Sequence, residues 1–124
     1  MIAVDSSTIV AYFDGKPGAD VELIDSNLLA CQIVLPPVVL SEVMSDPRLP
    51  AKHAGLVQQL PVLPILDGYW LRAGQLRASI LARNLRARLP DTLIAQSCID
   101  HDIALIRRDP DFRHFAKYCG LKLA

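Results

Sequence analysis

Three short apolar runs constrain this chain more than any other feature. Ile2-Ala3-Val4 stops at Asp5, Ile33-Val34-Leu35 stops at Pro36-Pro37, and Ile103-Ala104-Leu105-Ile106 stops at Arg107-Arg108-Asp109. Each run has the length of a buried strand rather than a buried helix. The stretches between them carry helical periodicity. Short apolar strands alternating with helices predict an α/β chain: a three-layer α/β/α sandwich with a mainly parallel central sheet. At 124 residues the chain has the length of one domain, so residues 1–124 are expected to share one core.

Between the strands, Ser6 or Ser7 can cap a helix carrying Ile9, Val10, Tyr12 and Phe13 that stops near Gly15 to Gly18. A second helix places Val21, Ile24, Leu28 and Leu29 on one face. Pro37 suits the first turn of a helix from about Val38 to Met44, which Asp46-Pro47 ends. A polar helix spans about Ala51 to Leu60, and Val62 to Ile65 reads as an edge strand interrupted by Pro64. Residues 69–84 form a long helix with Trp70, Ala73, Leu76 and Ile80 sharing its buried face. Pro90 and Asp91 open a helix from Thr92 to about His101, and one or two helical turns follow from Phe112 to Tyr118. Leu121 to Leu123 is the last strand.

Composition excludes several classes. An apolar fraction of 52% and a mean hydropathy of +0.29 argue against disorder. The longest uncharged stretch, Ser26 to Ser41, is too short and too broken by Asn27, Gln32 and Pro36-Pro37 to span a bilayer. The start MIAVD has no basic region and no long apolar run, so no secretory signal is expected and the location is expected to be cytoplasmic. Cys31, Cys98 and Cys119 are odd in number without CxxC spacing, which predicts reduced, mostly packed thiols.

Charge is balanced overall but not along the chain. Residues 1–71 hold three Lys or Arg against eight Asp or Glu, and residues 72–124 hold ten against five. Such a division fits a basic face set beside an acidic site, an arrangement suited to a polyanion held near a metal.

In a parallel α/β fold, ligands sit outside the C-terminal ends of the strands, near a switch in strand order. Asp5 ends the first strand, Glu42 follows the second, Asp91 lies at a helix start, and Asp109 and Asp111 follow the strand 103–106. Each has an ordinary explanation: Asp5 as an N-cap, Glu42 as a solvated helix residue, Asp91 as a first-turn acid, Asp109-Pro110-Asp111 as a turn. Taken together they are five acids that the topology can bring to one rim. Clustered carboxylates without His or Cys partners favour Mg²⁺ or Mn²⁺ over zinc. His53 and His101 read as surface or helix-end residues, and His114 lacks a Ser or Cys partner. Arg83, Arg86 and Arg88 precede Asp91, and Arg107 and Arg108 precede Asp109. They are solvated helix and loop ends, or a grip on nucleic-acid phosphates.

The segments VDSS at Asp5, LSEV at Glu42, PDTLIAQSCIDHD from Asp91 and RRDPDFRHF at Asp109 and Asp111 resemble the PIN-domain ribonucleases. Among these the resemblance is to the VapC-type toxins of bacterial toxin–antitoxin pairs, and it covers essentially the whole chain. It implies a PIN-like α/β/α domain and metal-dependent endonucleolytic cleavage of RNA with Mg²⁺ or Mn²⁺. It further implies a homodimer held inactive by a VapB-like antitoxin. Carried over, Asp5, Glu42, Asp91 and Asp109 become the metal-binding and catalytic carboxylates, with Asp111 an auxiliary acid and Ser7 a support near Asp5. Arg107 departs from the pattern, since members commonly carry Thr or Ser two residues before the last acid. An alternative of another class is a PIN-fold module that acts through protein or RNA contacts without catalysis. A phosphoacceptor receiver domain ranks below both, because Ser6 and Arg107-Arg108 stand where it needs a second acid and a lysine.

Overall fold

A computed structural model describes residues 1–124. In it the strand β1 (Ile2–Val4) lies at the centre of a parallel sheet. It pairs with β2 (Ile33–Val34) on one side and β3 (Leu105–Ile106) on the other, giving the order β2-β1-β3. Ile2 is in register with Ile33, and Val4 with Ile106. Seven helices accompany the sheet: α1 (Ser6–Phe13), α2 (Ala19–Leu29), α3 (Pro37–Met44), α4 (Ala51–Gln59), α5 (Tyr69–Leu81), α6 (Leu89–Asp100) and α7 (Arg113–Cys119). A 3-10 turn over Pro110–Phe112 leads into α7. The α/β class and the parallel sheet agree with the sequence reading.

The two outer strands predicted from sequence are each reduced to a single bridge, Leu35 to Val62 and Leu105 to Leu123. Pro61 and Pro64 flank the first, and a residue without an N–H cannot extend a ladder. These bridges still cover the outer sides of β2 and β3: Leu63 N–H donates to Leu35 O, and Ala124 N–H to Leu105 O.

Other boundaries shift for local reasons. The helix expected over 69–84 ends at Leu81, and Asn84 adopts a left-handed φ of 59°, a conformation Asn tolerates better than most residues. Its inward face is led by Tyr69, whereas Trp70 is 64% exposed. Tyr69 can be buried because its hydroxyl donates to Leu93 O at 2.7 Å. On α2 only Ile24 is fully buried and Leu29 is 90% exposed, since the helix ends there and Cys31 turns the chain with φ 54°. Cys31 is accordingly exposed rather than packed, while Cys98 is buried.

One apolar cluster of 21 buried residues joins the sheet to the helices, with Phe112, Phe115, Ile80, Ile94 and Leu105 among its largest fully buried members. Helix α6 is covered on nearly every side. It buries Thr92 and then Ile94, Ala95, Gln96, Ser97 and Cys98, and the small Ala95, Ser97 and Cys98 among them let α3 and α5 approach. Arg72 of α5 locks this packing with a two-point pair to Asp100, Nε to Oδ1 at 3.0 Å and Nη2 to Oδ2 at 2.6 Å. Gln96 adds a donor to the same carboxylate. Helix α6 is therefore a fixed platform, and its first turn carries Asp91.

Candidate functional site

The chain leaves β1 to form β2 on one side and returns to form β3 on the other, so strand order reverses between β1 and β3. That reversal opens a crevice at the C-terminal ends of these two strands. Asp5 follows β1 directly and Asp109 follows β3 by three residues. Asp5, Ser6, Ser7, Glu42, Arg88, Pro90, Asp91 and Asp109 line one cavity of about 190 Å³, in which Pro90 alone lacks a polar side chain. Four of the predicted acids thus meet there, and Asp111 reaches the same cluster through Arg88.

Asp5 occupies the N-cap position of α1, yet its carboxylate makes no capping hydrogen bond. It accepts instead from the hydroxyls of Ser7 and Ser6. The side chain is 3% exposed. Burial pushes its carboxyl above the ordinary range, against the pull of the Ser7 hydroxyl. Ser6 Oγ also approaches Glu42 Oε1 at 3.1 Å, so one hydroxyl lies between the carboxylate that follows β1 and the one on α3. Burial likewise raises Glu42. The family resemblance implies Ser7 as the support near Asp5, and Ser6 shares that place. The signal for Ser6 was present in VDSS, where adjacent serines at a helix start point in directions about 100° apart around the same acid.

Helix α6 begins at Leu89, with Pro90 in its first turn, rather than at Thr92. This makes Arg88 the N-cap residue and Asp91 the third helical residue, three apart and on one face. Arg88 Nε lies 3.5 Å from Asp91 Oδ2, within Coulomb reach but without a hydrogen bond, and that oxygen is buried and has no hydrogen-bond partner. Burial raises Asp91 from an ordinary 3.8 to about 6. The Arg88 charge opposes this shift, and Asp5, Asp109 and Asp111 add to it. Arg88 Nη2 further contacts Asp109 Oδ2 at 3.4 Å and Asp111 Oδ2 at 3.0 Å. One guanidinium, half exposed, thus stands among three carboxylates.

Asp109 has two roles at once. Its Oδ1 accepts from Asp111 N–H at 2.9 Å, capping the Pro110–Phe112 turn, while Oδ2 faces Arg88. The loop that carries it is tied down by Arg108, whose Nε and Nη2 reach Asp20 at 2.9 and 3.2 Å and whose Nη2 also donates to Pro17 O. Burial acts to raise Asp20, but Arg108 together with the Val21 backbone N–H holds that carboxyl below its ordinary value. The other cations lie apart from the acids. Arg83 covers the Tyr118 ring at 4.0 Å, Arg86 is exposed, and half-buried Arg107 holds no carboxylate.

No three His, Cys, Asp or Glu side chains are gathered closely enough to coordinate one ion as they stand. The acidic donors lining the cavity are nonetheless all oxygen, which suits a hard divalent cation, and Asp91 Oδ2 is a buried acceptor left unused. Asp5, Glu42, Asp91 and Asp109 fit such an ion in kind, provided Arg88 yields its place. No helix is long and apolar enough to cross a membrane.

Comparison with known proteins agrees with this topology. The solved structure of VapBC2 from Rickettsia felis, bound to a DNA fragment from its promoter, is similar to this chain with a TM-score of 0.76 at 18% identity. The match covers 100% of this chain and 98% of that one. No curated protein matches. The family model described as PIN domain matches residues 2–118, a span that contains every acid of the cavity, and the chain belongs to the PIN domain family.

Proposed function

We propose that this protein is a Mg²⁺- or Mn²⁺-dependent endoribonuclease, the VapC-type toxin of a type II toxin–antitoxin pair, working in the cytoplasm as a single 1–124 PIN domain. The observation that carries the proposal is the meeting of Asp5, Glu42, Asp91 and Asp109, from four separate parts of the chain, in one polar cavity at the β1/β3 switch. A bound divalent ion supplies water activation and charge neutralisation at the scissile phosphate. The chain's own part is to hold the donors in place. Ser6 and Ser7 orient Asp5, and the Ser6 hydroxyl spaces it from Glu42. The α6 platform presents Asp91, and the Arg108 tether presents Asp109. Arg88 offsets the repulsion among the acids and stands ready to meet a phosphate.

A VapB-like antitoxin is the expected partner, since the similar Rickettsia structure is a VapBC2 assembly. A second copy of the chain is the other expected partner, and exposed Ile65 and Trp70, which line one shallow pocket, support a seam there. Protein freed of any partner should cut RNA with Mg²⁺ or Mn²⁺ and stop on adding EDTA, and Asp5→Asn should lose at least about 100-fold in rate. Wild-type rates in Asp5→Asn would end this reading. Arg88 among the carboxylates favours one alternative, a PIN module that binds without cutting. A Mn²⁺ titration that gives no heat with intact folded protein would select it.

A further inference from the structure

A second cleft adjoins the acidic cavity and shares Ser6, Ser7 and Glu42 with it. Its volume is about 470 Å³, far more than the roughly 30 Å³ that one water occupies. The cleft passes over the outer side of α1, with exposed Val10 in its lining and Lys16, just beyond the end of α1, as a further wall. Arg108 lines it as well. Arg108 spends Nε and Nη2 on Asp20 and Pro17, which leaves Nη1 without an assigned acceptor. Lys16 is exposed and forms no ion pair. The acidic cavity therefore opens into a cleft with two cations and an apolar strip. Eight helical residues at about 1.5 Å each place the two ends of α1 roughly 12 Å apart.

We propose that this cleft is the exit path of the RNA strand, in which Lys16 and the free edge of Arg108 hold backbone phosphates flanking the one at the acidic cavity. The chemistry is that of a polyanion. A flexible ammonium and a fixed guanidinium edge grip phosphates without reading bases, and Val10 offers a sugar or base an apolar surface. Arg88 already stands among the acids; cations placed beyond them let the strand be held without occupying further carboxylates. The inference rests on the ribonuclease reading and adds the direction in which its substrate lies.

The test uses the full-length protein and a fluorescein-labelled single-stranded RNA oligomer in EDTA, read by anisotropy across a salt series. Lys16→Ala should weaken binding several-fold at low salt and lower the slope of log K against log salt by about 0.7, the value for one phosphate contact on a single strand. Lys16→Arg should restore both. In cleavage assays with Mg²⁺, Lys16→Ala should raise KM and leave kcat near wild type. An unchanged affinity and slope in Lys16→Ala would overturn the proposal, as would an equal loss in Lys117→Ala, which lies outside the cleft. If wild type neither binds nor cuts RNA, the ribonuclease reading falls and the exit path with it. If wild type cuts RNA but Lys16→Ala matches it throughout, only the exit path falls.

Discussion

Asp91→Asn should make the metal-free protein more stable. Burial holds the Asp91 carboxyl at about 6 against an ordinary 3.8, a gap of about two units at 1.36 kcal/mol each, or at most about 3 kcal/mol. Its side chain is 14% exposed but faces an open cavity, so solvent screening reduces the figure to about 1–2 kcal/mol. The sign follows from linkage. Between pH 3.8 and 6 the folded chain keeps a proton that the unfolded chain has released, so this group's stabilisation is complete below 3.8 and lost as pH rises through 6. Asn carries no such penalty. Urea unfolding in EDTA at pH 8 should therefore favour Asp91→Asn by about 1–2 kcal/mol, a rise in Tm of about 4–8 °C. Near pH 4 the two proteins should converge. Saturating Mg²⁺ should reverse the order, because the ion stabilises only a chain that can hold it. Equal stability at pH 8, or a variant weaker at every pH, would refute the electrostatic account of the cavity.

Arg88→Gln should bind Mn²⁺ several-fold more tightly by calorimetry, because it removes the cation that already contacts Asp91, Asp109 and Asp111; weaker binding would mean that Arg88 supports the ion. Gly18→Ala should destabilise by about 1–2 kcal/mol, since φ is 155° and a Cβ would lie 2.5 Å from Asp20 Oδ1 and 2.7 Å from Arg108 Nη2. The same variant should raise the Asp20 titration midpoint by NMR as Arg108 is displaced. Phe112→Ala, at the fully buried last position of the Pro110–Phe112 turn, should cost about 3–5 kcal/mol in denaturant unfolding.

The strands were legible because Ile2-Ala3-Val4, Ile33-Val34 and Leu105-Ile106 are apolar without alternation, the pattern of strands covered on both faces. Convergence of the acids followed from topology, since residues after parallel strands reach one rim. Side-chain partners were a different matter. Nothing local in RRDPDF separates Arg108, which is bound to an aspartate 88 positions earlier, from Arg107, which holds no carboxylate. Arg88 and Asp91 were spaced for contact at i and i+3, but that spacing has meaning only once Leu89-Pro90 is known to be helical. Trp70 against Tyr69 was decided by a carbonyl in α6 that a single-helix pattern does not contain.

The strand order has a consequence during synthesis. β1 is made before both strands that flank it, and the second of these, β3, is made about a hundred residues later. At roughly 5–20 residues per second on the ribosome, Asp5 waits about 5–20 s before Asp109 exists to stand opposite it. A growing chain therefore carries an incomplete acid set until Asp109 has been added, and the cavity at the β1/β3 switch cannot take shape before then.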